Sequence, residues 1–151
     1  MATLRWGKPT IEVIKLVDGE VPSSGTWIKL ENPKQDTTEL TSTEGEKKEA
    51  IIEGGEVIAT KRGKNKPTFT TTLYVKDDAE KPIEDDDGVI DGEYAVRVYP
   101  ASGTLKGKLM EKTSVSVIET YTPEDGDLWK YTFDVLKPKT GKMVKVYDPA
   151  G

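Results

Sequence analysis

The stretch Thr68-Phe69-Thr70-Thr71-Thr72-Leu73-Tyr74-Val75 decides the fold. Phe69, Thr71, Leu73 and Val75 fall on one side of an extended chain, and Thr68, Thr70, Thr72 and Tyr74 on the other. Period-two spacing of β-branched and aromatic residues is the signature of a half-buried strand, because successive side chains of a strand point to opposite faces. Two other stretches repeat it. Tyr94, Val96 and Val98 alternate with Glu93, Ala95 and Arg97, and Trp129, Tyr131, Phe133 and Val135 alternate with Lys130, Thr132 and Asp134. Ile11 to Val17 carries apolar residues on both faces, which predicts a strand covered on both sides. Thr26–Leu30, Thr113–Tyr121 (through Val115, Val117 and Tyr121) and Met143–Tyr147 (with Val144 and Val146 on one face) read as weaker strands.

Turn signals separate these runs. Asp18-Gly19 follows the first, and Val21-Pro22-Ser23-Ser24-Gly25 precedes the second. Gly54-Gly55 suits a hairpin turn that needs positive φ, and Lys137-Pro138-Lys139-Thr140-Gly141 joins the last two runs. The expected architecture is all-β (mainly β): a β-sandwich or split barrel of about eight strands. One short flanking helix is expected from Pro82, with Glu84, Asp85 and Asp86 in its first turn and Gly88 ending it. Glu44 to Ile52 has helical propensity but no apolar stripe, so it reads as an extended arm or hairpin. The chain reads as one domain over residues 1–151, with a long polar arm or loop around 31–65. Trp27 and Trp129 are expected in core strands.

Composition bounds the function. The 151 residues are 34% hydrophobic and 32% charged, with a net charge of −5. A chain this long buries roughly 70% of its unfolded surface. The acidic balance argues against an ordinary nucleic-acid-binding domain, which needs a basic face to displace counterions. There is no cysteine and no histidine. Disulfides, thiol catalysis, Cys- or His-ligated metals and the commonest general base are therefore absent. The expectation is a protein that is not an enzyme and holds no cofactor. The N-terminus has no apolar signal-peptide core, and no run approaches the roughly 20 apolar residues of a spanning helix. A cytosolic site of synthesis and no membrane partner are expected.

Three features are candidate sites. The run Glu84-Asp85-Asp86-Asp87-Gly88 could hold a hard cation, form a solvated turn, or meet a neighbouring subunit. Its spacing is not that of the helix–loop–helix calcium loop. Lys61-Arg62-Gly63-Lys64-Asn65-Lys66 forms a basic stretch that could touch phosphate, stand solvated, or pair with the acidic run of another copy, since segregated opposite charges suit head-to-tail self-association. Trp6, beside Gly7 and Pro9, either docks on its own domain or anchors a neighbour. The candidate self-association residues are thus Trp6, Lys61, Arg62, Lys64, Glu84, Asp85, Asp86 and Asp87.

Several segments together carry a resemblance. They are Pro9–Gly19, Val21-Pro22-Ser23-Ser24-Gly25-Thr26-Trp27, Glu44–Ala50, Glu53-Gly54-Gly55-Glu56, Asp91–Val98 and Trp129–Phe133. In pattern and order the chain resembles the phage major tail tube protein-like family, specifically the small tail tube-like proteins of Bacteroides-type prophages. The resemblance implies a β-sandwich or split barrel with one flanking helix. It implies hexameric rings that stack into a tube conducting DNA without binding it specifically. The implied partners are copies of the chain and other phage tail proteins, and the implied location is the bacterial cytoplasm and then the virion. No catalytic residues come with it. Ring and stacking contacts would fall on Thr3–Pro9 and Thr37–Lys66. The competing readings are an immunoglobulin-like soluble binding module, or another phage structural part such as a neck, baseplate or capsid decoration protein.

Overall fold

The period-two stretches fold as strands with their apolar sides turned inward. A computed structural model describes residues 4–101 and 104–149. Ten strands follow in order: β1 (Pro9–Lys15), β2 (Ile28–Lys29), β3 (Glu39–Thr43), β4 (Lys47–Ile51), β5 (Val57–Arg62), β6 (Lys66–Tyr74), β7 (Val89–Pro100), β8 (Gly107–Thr122), β9 (Gly126–Val135) and β10 (Lys145–Tyr147). Eight form one antiparallel sheet in the order β2-β1-β7-β8-β9-β6-β3, with β10 added to β8. β4 and β5 form a separate two-stranded sheet. The protein is all-β, as the alternation predicts.

Along β6, Phe69, Thr71 and Leu73 are buried, while the residues between them are half-buried. β9 buries Trp129, Tyr131, Phe133 and Val135 against them, with Phe69 opposite Phe133. β1 and β7 are covered on both faces. Ile11, Val13 and Val96 join the main core, while Ile14, Leu16 and Ala95 form a second cluster on the reverse side with Val21 and Trp27. Trp27 lies just before β2 and is half-buried there, so it covers that second cluster and is not a core strand residue. Its indole faces the Arg97 guanidinium at 4.1 Å, and the Tyr147 ring faces the same group at 4.9 Å. Tyr121 and Val146, at the ends of the weaker strands, are exposed.

The sheet is curled, and one short segment makes it so. In the sheet order β1 and β6 are four steps apart, about 19 Å if the sheet were flat. Yet Leu30 N–H donates to the Ile11 carbonyl at 2.9 Å, and two residues later the Asn32 carbonyl accepts from Tyr74 N–H at 3.0 Å. Lys34 N–H then donates to the Thr72 carbonyl at 2.7 Å. Residues 28–34 therefore pair with β1 at one end and with β6 at the other. Asn32 makes the corner between the two pairings with φ of 57°. Asparagine tolerates this left-handed conformation better than most residues. Thr37 and Thr38 continue along the same edge of β6: Thr37 N–H and Oγ1 both donate to the Lys34 carbonyl, and the Thr38 and buried Thr71 hydroxyls bond at 2.8 Å. Beyond this staple β1 and β3 diverge, leaving a cleft between Pro9 and Leu40. The result is a barrel closed along one stretch and split along another.

The helix expected from Pro82 is not formed, and no residue described is helical. Ile83 is buried in the main core, and the chain bends at Pro82 and Ile83 instead of starting a helix there. Asp86 and Val89 exchange two backbone hydrogen bonds around Asp87-Gly88, whose φ values are 51° and 90°. Positive φ at both central residues is the type I′ turn that Asp-Gly favours. Asp18-Gly19 does the same between Val17 and Glu20, with φ of 53° and 76°. The acids after Pro82 thus open a β-turn instead of filling the first turn of a helix.

Replacing Asn32 with valine forces a β-branched residue into the left-handed region at the corner of the staple. Asn32→Val is expected to lose about 1–2 kcal/mol in urea unfolding, with Asn32→Gly close to the parent.

Candidate self-association surfaces

The long polar region around 31–65 divides in two. Residues 32–43 fold onto the body through the staple and β3, which pairs with β6 from Glu39↔Thr70 to Thr43↔Lys66. Residues 46–66 are exposed throughout, and among the described strands β4 and β5 pack only on each other. The hairpin leaves the body through a narrow neck. Gly63 N–H donates to the Glu46 carbonyl at 2.8 Å, and a Cβ on Gly45 would collide with the Gly63 carbonyl. At the far end Ile52 and Gly55 close a turn, with Gly54 and Gly55 at φ of 97° and 90°. Around that turn Ile51, Ile52, Val57 and Ile58 are 59%, 44%, 46% and 61% exposed. Four branched apolar side chains thus stand in solvent at the tip of a projection with no core of its own.

Lys61, Arg62 and Lys64 lie on the stem of this hairpin and are exposed. The acidic run lies before β7, where Gly88 meets the Val117 backbone. The fold does not bring the two groups together within one chain, and Glu84 and Asp87 are exposed. Asp85 is different. Its side chain is only 5% exposed, paired with Lys81 at 2.6 Å and accepting from Gly88 N–H at 2.7 Å. Lys81 also bonds Glu119 and lies over the Trp129 ring at 5.7 Å. The hydrogen bond from Lys81 comes first in holding the Asp85 carboxyl below its ordinary value, with Gly88 N–H next. The bonds to Asp85 and Glu119 hold the Lys81 ammonium above its own. Below them the Tyr131 hydroxyl donates to the Ile83 carbonyl at 3.0 Å, and burial pushes its pKa up to about 12. The cation beside Asp85 is thus a lysine, and among the described residues no three acidic side chains gather as a metal site.

Trp6 is 71% exposed and borders a shallow apolar pocket with Pro9, Val98, Tyr99 and Pro100. Thr3, at the start of the expected N-terminal contact segment, lies outside the described residues. Sequence reasoning missed Lys81 as the partner of Asp85, because i,i+4 spacing signals a pair only on a helix and this segment is not helical. It also passed over the tip residues, where branched apolar pairs flank Gly54-Gly55.

Charge is segregated along the body. The loop from Val75 to Gly88 holds seven acids and two lysines, and the adjoining Thr122–Asp127 turn adds three acids. Val75 N–H donates to the Asp127 carbonyl, which places the two at one end of the strands. The opposite strand ends carry Arg5, Lys8, Lys106, Lys108, Lys137 and Lys142, although Lys139 in the same 136–142 segment is paired with Glu20 at 3.5 Å. Among the described residues no helix is long and apolar enough to cross a membrane. No protein-family model matches the chain, and no curated protein matches it.

Asp85 contributes stability above its unfolded pKa of 3.8, and that contribution is lost as pH falls through its lower folded value. Asp85→Asn is expected to cost about 1.5–3 kcal/mol at pH 7, the range for hydrogen bonds to charged groups. The gap from the parent narrows as pH drops below 3.8, as urea titrations across pH 2–7 would show.

Proposed function

We propose that this protein is a non-catalytic structural subunit that self-associates, in the manner of a phage tail tube protein. One observation carries the reading: the β4–β5 hairpin projects four branched apolar side chains into water and, among the described residues, packs on no other strand of its own chain. A lone two-stranded hairpin is marginal in water, so this one makes physical sense as an arm completed by a partner. The four tip residues are about half exposed, so burying what remains of each would contribute roughly 0.7–1.5 kcal/mol, about half the value for full burial. Association costs on the order of 4–15 kcal/mol. A single arm contact is therefore weak alone, while a closed ring in which every copy both gives and receives an arm compounds it.

Two further features favour the same reading. The acidic and basic strand ends suit head-to-tail stacking of like copies. The absence of histidine and cysteine removes the side chains most enzymes use for acid–base and thiol chemistry. In the tube reading, hexameric rings stack into a channel along which DNA passes without specific contact, with other tail proteins at its ends. The site of action is then the bacterial cytoplasm during assembly and the phage tail afterwards. A monomeric immunoglobulin-like module gives the exposed hairpin no role.

Lys47↔Arg62 is the first strand pair of the hairpin, so replacing residues 47–62 with Asn-Gly closes the stem without touching β3 or β6. This variant is expected to keep the parent's unfolding midpoint within a few degrees. It should sediment as a monomer at concentrations where the parent forms rings or tubes in negative stain. A parent that stays monomeric at every concentration overturns the assembly reading.

A further inference from the structure

We propose that the cationic stem of the β4–β5 hairpin in one copy docks in the acidic groove beside the Asp87-Gly88 turn of another. This rests on the self-association reading and names the two surfaces that meet. What points to it is a mismatch inside the hairpin. Lys47 lies opposite Arg62, and Lys48 lies opposite Lys61. Alternation puts the first pair on one face of the ribbon and the second on the other. Like charges directly opposite each other on adjacent strands are destabilising. Glu49 offsets Lys47 at 2.7 Å. Among the described residues no acid pairs with Lys48, Lys61 or Arg62, and Glu44 and Glu46 near the neck pair with none of them. An anionic surface from outside the chain relieves this repulsion.

The protein carries such a surface, and its charge survives the subtraction of internal pairs. A groove of about 560 Å³ is lined by Asp85, Asp86, Asp87, Ile118 and Glu119, with Lys81 the one cation among its lining residues. Lys81 is taken up by Asp85 and Glu119. Asp86 and Asp87 are exposed with no cationic partner among the described residues, and exposed Glu84 precedes them in the same loop. Four acids against one lysine leave the groove negative. Ile118 and neighbouring Val89 are also exposed, so the groove offers the arm apolar contact as well as charge. Within one chain β4 and β5 meet no other described strand, so the contact is between copies. The chain's net charge of −5 favours a second copy over nucleic acid as the partner, because the protein as a whole repels a polyanion.

Two variants test the pairing. The first carries Lys48→Glu with Lys61→Glu, which keeps a like-charge pair across the ribbon and changes only its sign. The second carries Glu84→Lys and Asp86→Lys with Asp87→Asn, since asparagine tolerates the positive φ of that turn position. Circular dichroism first confirms that each is folded. Sedimentation then reads the association of the parent, of each variant alone and of an equimolar mixture of the two. Each variant alone is expected to associate roughly tenfold more weakly than the parent, on the scale of a close interfacial charge pair. The mixture, in which each stem finds a turn of opposite sign, is expected to recover most of that loss. If the parent associates and either variant alone matches it, or the mixture stays as weak as the variants, the groove is not the receptor and self-association still stands. A short DNA duplex is titrated in parallel. Duplex binding that disappears on stem reversal while copies associate as before assigns the stem to a polyanion and overturns the docking. If no copies associate, this inference and the reading beneath it fall together.

Discussion

Seven residues, Ile28 to Lys34, hold the two ends of the main sheet together. Without their paired hydrogen bonds to β1 and β6, the strands would fan out with ordinary right-handed twist and leave the inner face wet. With them, Phe69 and Leu73 on β6, Ile11 and Val13 on β1 and the residues between enclose a common interior. The closure is local, spanning only a few residues on each edge. That explains why the same molecule has a dry core under the staple and an open cleft beyond it. The backbone donors and acceptors at the corner leave a sheet edge with little freedom to pair elsewhere, so the staple also removes a site of unwanted strand addition.

The core was legible because its rule is one-dimensional. Period two at Phe69–Leu73 and Trp129–Val135 names the inward residues directly, and the doubled apolar pattern of Ile11–Val17 anticipates two covered faces. The expected helix failed where two local rules competed. Proline followed by acids fits a helix start, but Asp87-Gly88 fits a type I′ turn equally well. The decision fell to Ile83, whose place in the core is a tertiary fact absent from the local sequence. The staple was illegible for a similar reason. Glu31-Asn32-Pro33-Lys34 looks like polar loop, because its contribution lies in backbone hydrogen bonds to strands far away in the chain.

The candidate surface was legible in part. The hairpin around Gly54-Gly55 was expected as an arm or hairpin and is one, with Lys61, Arg62 and Lys64 on its exposed stem. What sequence withholds is burial. Ile51, Ile52, Val57 and Ile58 have the composition of a core strand, and only the fold reveals that they stand about half exposed, with no other described strand against them. The acid run misled in the opposite sense. Asp85 looks like one of several equivalent surface charges, yet it sits almost enclosed beneath Lys81, while its neighbours Glu84 and Asp87 face solvent.

The two glutamates at the hairpin turn carry a consequence for the life of the free chain. Clustered isoleucines and valine on an unprotected ribbon are the composition that nucleates indiscriminate cross-β stacking. Glu53 and Glu56 place like charges where two such tips would meet, so tip-to-tip contact between copies is repelled. The same pair therefore sets a like-charge barrier against indiscriminate stacking of the greasy tip.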